Sequence, residues 1–178
     1  MTEDLELHAP LVIDDLSRPF PESAIGATWH LFTDQVMGGV SRGRLSKDHI
    51  LGQPAIRMQG DVSLDNNGGF IQISLTLADR DGAFDASAWR GIAIDIAGVP
   101  GAYEMRLRTT DLSRPWESYR HTLSVEPNWK THQLHFADFT LHRTDVPLNL
   151  QRLRRLGLVA IGRAFSADLA LGGIRYFS

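Results

Sequence analysis

The chain contains no cysteine. That single absence excludes disulfides, thiolate nucleophiles, thiolate-held zinc and iron–sulfur clusters. A basic excess is missing too: 18 Lys and Arg face 21 Asp and Glu, for a net charge of −3. No footprint for general nucleic-acid binding remains. The apolar runs are broken by Gly, Arg or Asp every few positions, far short of the ~18 consecutive apolar residues of a membrane-spanning helix, so no membrane insertion is expected. The segment Met1-Thr2-Glu3-Asp4-Leu5-Glu6 is acidic, whereas secretory signals begin basic and mitochondrial presequences are Arg-rich. With no signal or transit sequence in it, the chain is expected to be cytoplasmic.

Catalytic signatures are sparse as well. Gly38-Gly39-Val40-Ser41-Arg42-Gly43 has glycines but no Gly-Lys-Ser/Thr ending, and no Gly-x-Ser-x-Gly elbow occurs, which sets aside phosphate loops and serine hydrolases. His132 and His135 are spaced by three, and in a strand that odd spacing points the rings to opposite faces. Asp79-Arg80-Asp81-Gly82 with Asp85 hints at a calcium loop, but its twelfth position is Arg90 where the hand motif places a Glu. No metal or cofactor is expected. Asp34, Asp61, Asp95 and Glu104 are formal candidates for a glycosidase carboxylate pair, which sequence spacing cannot establish.

What is present is alternation. In the segment 55–64, Ile56, Met58, Val62 and Leu64 share one face and Arg57, Gln59, Asp61 and Ser63 the other. The same period of two sets Ile71, Ile73, Leu75 and Leu77 against Gln72, Ser74 and Thr76, and Ile92, Ile94 and Ile96 against Ala93 and Asp95. It also sets Tyr103, Met105 and Leu107 against Glu104, Arg106 and Arg108. Gly and Pro punctuate these runs about every ten residues, as in antiparallel β proteins. Further strands are read at 11–16, 28–32, 40–45, 118–125, 130–136, 156–161 and 168–177. Ten or so strands in 178 residues imply an all-β jelly-roll sandwich. Only Leu148 to Arg155 reads as helix, for one or two turns. The expected organisation is an N-terminal extension over 1–10 and a single sandwich domain over 11–178.

Two strings stand out. Trp29-His30-Leu31-Phe32-Thr33-Asp34-Gln35-Val36-Met37-Gly38-Gly39-Val40-Ser41 leads an aromatic strand into a Gly-Gly turn, where one glycine is expected in the left-handed region. Locally, Asp34 would end the strand by bonding backbone amides and Met37 would fill a hole in the core. The second string, Gly60-Asp61-Val62-Ser63-Leu64-Asp65-Asn66-Asn67-Gly68-Gly69-Phe70, joins two alternating strands through residues that tolerate positive φ. The two loops are expected side by side, with Asn66 or Asn67 bonding the backbone of the other.

Together these strings resemble the complex I intermediate-associated protein 30 family, whose hallmarks are a Trp followed by Asp-x-Val-Met-Gly-Gly-Val-Ser and a downstream Asn-Asn-Gly-Gly-Phe turn. The likeness continues through Trp129 to Phe139, with His135 where the family has proline, and closes at Gly172-Gly173-Ile174-Arg175-Tyr176-Phe177. It implies a galactose-binding-like jelly roll. It also implies a non-catalytic domain that assists assembly of respiratory NADH:ubiquinone oxidoreductase, with Asp34, Met37, Gly38, Gly39, Ser41, Asn66, Asn67, Gly68 and Gly69 as its motif loops. The absence of a transit sequence suits a stand-alone bacterial protein. The alternative is a carbohydrate-binding module, because the fold is shared with many. Partners are accordingly expected to be protein subunits of a larger complex, or a carbohydrate. From the residues themselves, the candidate ligand surface is one concave polar sheet face carrying Asp61, Gln72, Asp95, Glu104, Arg106 and Arg108, with Trp116 or Tyr119 stacking at its rim.

Overall fold

A computed structural model describes residues 9–78 and 82–178. The possible calcium loop around Asp79, Arg80 and Asp81 and most of the expected N-terminal extension lie outside them.

Among the described residues, the alternating segments form twelve strands. They are β1 Leu11–Asp14, β2 His30–Thr33, β3 Arg42–Ile50, β4 Gln53–Val62, β5 Phe70–Thr76 and β6 Gly91–Gly98. Then follow β7 Tyr103–Thr109, β8 Ser118–Leu123, β9 Lys130–His135, β10 Thr140–His142, β11 Leu153–Ile161 and β12 Phe165–Phe177. All pairings are antiparallel. Sheet 1 runs β3-β4-β12-β6-β9, with β1 added against the C-terminal half of β12. Sheet 2 runs β10-β8-β7-β11-β5-β2. This is the expected all-β jelly-roll sandwich.

The core lies between the sheets. Ile56, Met58, Ile92, Ile94, Ile96, Leu169 and Leu171 from sheet 1 meet Ile71, Ile73, Leu75, Met105, Leu107, Leu156 and Leu158 from sheet 2, all buried. Each such burial stabilises by about 2 kcal/mol, and the period of two leaves every intervening residue on an outer face.

Two local expectations are corrected. The stretch 148–155 is helical only over Leu150–Arg152, a single 3-10 turn that leads straight into β11 at Leu153. Leu153 is fully buried and exchanges backbone hydrogen bonds of 2.7 and 3.1 Å with Phe84, so its apolar side chain belongs to a strand end. The three-residue β10, absent from the sequence reading, pairs with β8 at the edge of sheet 2.

Candidate functional site

The two family strings meet at one corner, and a carboxylate joins them. Asp34 begins the 3-10 turn Asp34–Met37 after β2 and is 0% exposed. Its Oδ1 accepts from the Ser41 amide at 2.9 Å. Its Oδ2 accepts from the Ser41 hydroxyl, from Gly69 N at 2.5 Å and from Phe70 N at 3.3 Å. Burial alone would raise this carboxyl's pKa. The hydrogen bonds from Ser41, Gly69 and Phe70 outweigh that and hold it below the ordinary carboxylate range.

Glycine is required here for two different reasons. Gly38 closes the turn at φ 86°, the left-handed region expected of one of the pair. Gly68 leaves room, since a Cβ there would overlap the Asp34 carboxylate. Ser41 extends the corner into sheet 1, where its hydroxyl accepts from Ser63 N at 2.8 Å. The loops therefore do pack together, but the expected donor is corrected: Asn66 and Asn67 are exposed, with φ of 56° and 57°, and serve the turn. The reading of Met37 as core filler is corrected as well. Met37 is 65% exposed, beside Val36 at 71%, Val40 at 43% and Leu64 at 50%. The turn spends its inward position on Asp34.

The proposed single polar face divides in two. Asp61 on β4 and Asp95 on β6 lie on the outer face of sheet 1, where Asp61 accepts from Ser166 and Asp95 from Thr131 and Arg175. Gln72, Glu104, Arg106 and Arg108 lie on the opposite side of the sandwich, on the outer face of sheet 2. Alternation assigns side chains to a face of their own strand but not strands to a sheet, which is why the sequence merged the two.

On sheet 2, Arg106 lies directly across from Arg120 of β8, and Arg108 directly across from Arg155 of β11. Glu104 serves the first pair, bonding Arg106 at 3.1 Å and Arg120 at 3.5 Å. No carboxylate pairs with Arg108 or Arg155 among the described residues. Arg108 instead donates to the carbonyls of Arg114, Pro115 and Glu117 at 2.9, 2.7 and 3.0 Å, pinning the loop that carries Trp116. Burial, then the neighbouring charges of Arg155 and Arg154, lower its pKa.

Trp116 is 51% exposed, with the Arg114 guanidinium 5.7 Å from its ring centroid. Tyr119 is not at a rim: it pairs with Leu107, is 1% exposed, and donates to the carbonyls of Val146 and Pro147 at 2.9 and 3.0 Å. Its register with a core residue turns the ring inward. Gly157 sits between Arg106 and Ser74, and a Cβ there would overlap the Gln72 side-chain nitrogen, so the Gln72 amide lies over this gap. Sequence reasoning missed Arg155, because it closes the stretch Leu148 to Arg155 that reads as helix.

Among the described residues, no cluster of three His, Asp or Glu could hold a metal ion. No described helix is long and apolar enough to cross a membrane.

The family model described as Complex I intermediate-associated protein 30 matches residues 20–171. No curated protein matches the sequence. Among solved structures, the family 11 carbohydrate-binding module of cellulosomal cellulase Lic26A-Cel5E of Clostridium thermocellum is similar, with TM-score 0.75 and 14% identity over 96% of this chain and 95% of that one. A family 11 carbohydrate-binding module from Clostridium thermocellum in complex with a β-1,3-1,4-mixed-linked tetrasaccharide gives TM-score 0.71 at 15% identity, over 95% of each chain. A family 30 carbohydrate-binding module of cellulosomal cellulase Cel9D-Cel44B from that organism gives 0.61 at 15%, over 96% of this chain and 93% of that one. At these identities the likeness is one of fold.

Proposed function

The chain belongs to the complex I intermediate-associated protein 30 family, and on that premise we propose that it is a non-catalytic binding domain assisting assembly of a protein complex, the respiratory NADH:ubiquinone oxidoreductase. The observation that carries this reading is the corner built by the two family strings. Its one buried carboxylate has both oxygens engaged by donors of the protein itself, which suits a structural role for Asp34. Outward, the same corner displays Val36, Met37, Val40 and Leu64. Apolar side chains held exposed on a rigid platform contribute little to the fold and suit contact with another protein. Methionine adds a surface that adapts to its partner.

The test is capture of NADH:ubiquinone oxidoreductase subunits from the native host, quantified by mass spectrometry, with the full chain and with Val36→Asp/Met37→Asp. Enrichment of those subunits by the wild type and a loss of about tenfold in the variant are expected, since hot-spot side chains typically carry 1 to 2 kcal/mol or more. Equal recovery by both proteins, or no subunit above background, would overturn the reading.

A carbohydrate ligand is the second reading, favoured by the exposed Trp116 beside Arg108 and by a fold shared with a module solved with a tetrasaccharide. It ranks below the first because Tyr119 is buried, and Phe32 and Phe70 pack edge to face with centroids 5.9 Å apart. Trp116 is the one Trp, Tyr or Phe that is exposed rather than half-buried or buried among the described residues. Saturable binding to a mixed-linked glucan, abolished by Trp116→Ala, would reverse the ranking.

A further inference from the structure

The outer face of sheet 2 holds two like-charged pairs at directly opposed strand positions. Arg106 is opposite Arg120, and Arg108 is opposite Arg155. Like charges directly across a sheet destabilise it. A surface shaped only by folding would put a carboxylate at one position of each pair, yet among the described residues Glu104 is the one carboxylate ion-paired with these arginines, and it is shared between two of them. Exposed Arg154 adds a further charge beside Arg155, and His142 on β10 feels the same field: burial, then Arg106, Arg120 and Arg143, disfavour its protonated form. All this stands in a chain whose net charge is −3.

The four arginines are set by strand geometry. Arg106 and Arg108 are two residues apart on β7, hence about 6.7 Å apart along the strand, with their partners one strand to either side at about 4.8 Å. An extended peptide repeats its side chains on one face with that same spacing of about 6.7 Å. Between Arg106 and Arg155, Gly157 leaves the floor without a side chain, and the Gln72 amide lies over the gap as a further donor. Guanidinium forks bind carboxylates bidentately.

We propose that the outer face of sheet 2 docks an extended, carboxylate-rich segment of a partner protein, whose acidic side chains at alternate positions pair with Arg106, Arg108, Arg120 and Arg155. The proposal rests on the reading of the chain as a binding domain for proteins, but uses a surface separate from the apolar corner. Phe70 at the corner end of β5 and Thr76 beside Arg155 are six residues apart, about 20 Å along the strand.

The probe is a fluorescein-labelled peptide of alternating Glu and Thr, titrated by anisotropy with the full chain at about 50 and about 200 mM salt. Saturable binding is expected, weakened about tenfold or more by the added salt, as for other contacts dominated by exposed charge. Arg120→Gln/Arg155→Glu should weaken it by a further tenfold or so, while Arg44→Glu on sheet 1 should leave it unchanged. Both substituted positions are solvent-accessible, and a melting temperature no lower than wild type for Arg155→Glu alone separates lost binding from lost fold.

Absence of saturable binding at the lower salt would overturn the proposal. So would equal loss with Arg44→Glu, or unchanged affinity in the double variant. Tighter binding of oligogalacturonate or single-stranded DNA than of the peptide would assign the face to another ligand class and equally overturn it. The corner variant Val36→Asp/Met37→Asp is measured in the same series. If it still loses captured subunits while the acidic peptide fails to bind, only the inference about this face falls.

Discussion

Asp34 carries a larger share of the structure than its position in a surface turn suggests. Replacing it by Ala would leave the amides of Ser41, Gly69 and Phe70 and the Ser41 hydroxyl without their acceptor. Unsatisfied buried donors cost 1 to 3 kcal/mol each, with partial rescue by water, so a loss of about 3 kcal/mol is expected in denaturant unfolding. Its folded-state pKa is depressed despite burial. The charged form is therefore the stabilising one: the contribution is complete above the ordinary carboxylate value of about 4 and fades as pH falls below it. Melting curves from neutral to acid pH should converge for wild type and Asp34→Asn at the acid end; curves that stay parallel would contradict this. Gly38→Ala, which forces a Cβ into φ 86°, should cost about 1 kcal/mol, and Gly68→Ala more, because its Cβ meets the carboxylate rather than open space.

At the level of elements, β7 sets the outer face of sheet 2 by placing a charged residue at each alternate position between two neighbours that also carry arginine. Relieving one opposed pair should stabilise the sheet. Arg155→Thr is expected to raise stability by about 0.5 kcal/mol, read as an increase in the denaturation midpoint at unchanged slope; a decrease would show that Arg155 has a stabilising partner in the folded state. Arg108 acts differently, since it holds the β7–β8 loop through three carbonyls. Arg108→Met should leave the strands intact while raising proteolytic cleavage after Arg114. Strands were legible wherever at least five residues alternated, as in Tyr103 to Arg108, because burial on one face is written directly into the pattern. Thr140 to His142 is too short to show a period, and Leu153 looked helical because its burial comes from contact with Phe84, far away in sequence. The corner was legible as a pair of strings and Asp34 as an acceptor of backbone amides, but the reach of that acceptor was not: its partners lie 7 and 35 residues downstream.

For the whole molecule, the core residues and their two layers follow from alternation, whereas the distribution of strands between sheets follows from pairings that no local pattern encodes. Asp61 and Asp95 ended on the far side from Arg106 for that reason. The Asp34 corner ties the layers, since its partners lead into β3 of sheet 1 and β5 of sheet 2. The long strand β12 closes the architecture from the other end. It lies between β4 and β6 in the middle of sheet 1 and takes β1 along its C-terminal half, yet it is the last of these twelve strands to leave a ribosome. Until Phe165–Phe177 emerges, β3–β4 and β6–β9 are separate ribbons with an unpaired edge on each, and such edges invite wrong partners. The nascent chain must therefore wait, with sheet 1 open, for this strand. Stalled chains that end before Phe165 should be digested rapidly by protease, and protection should come in one step once β12 clears the exit tunnel.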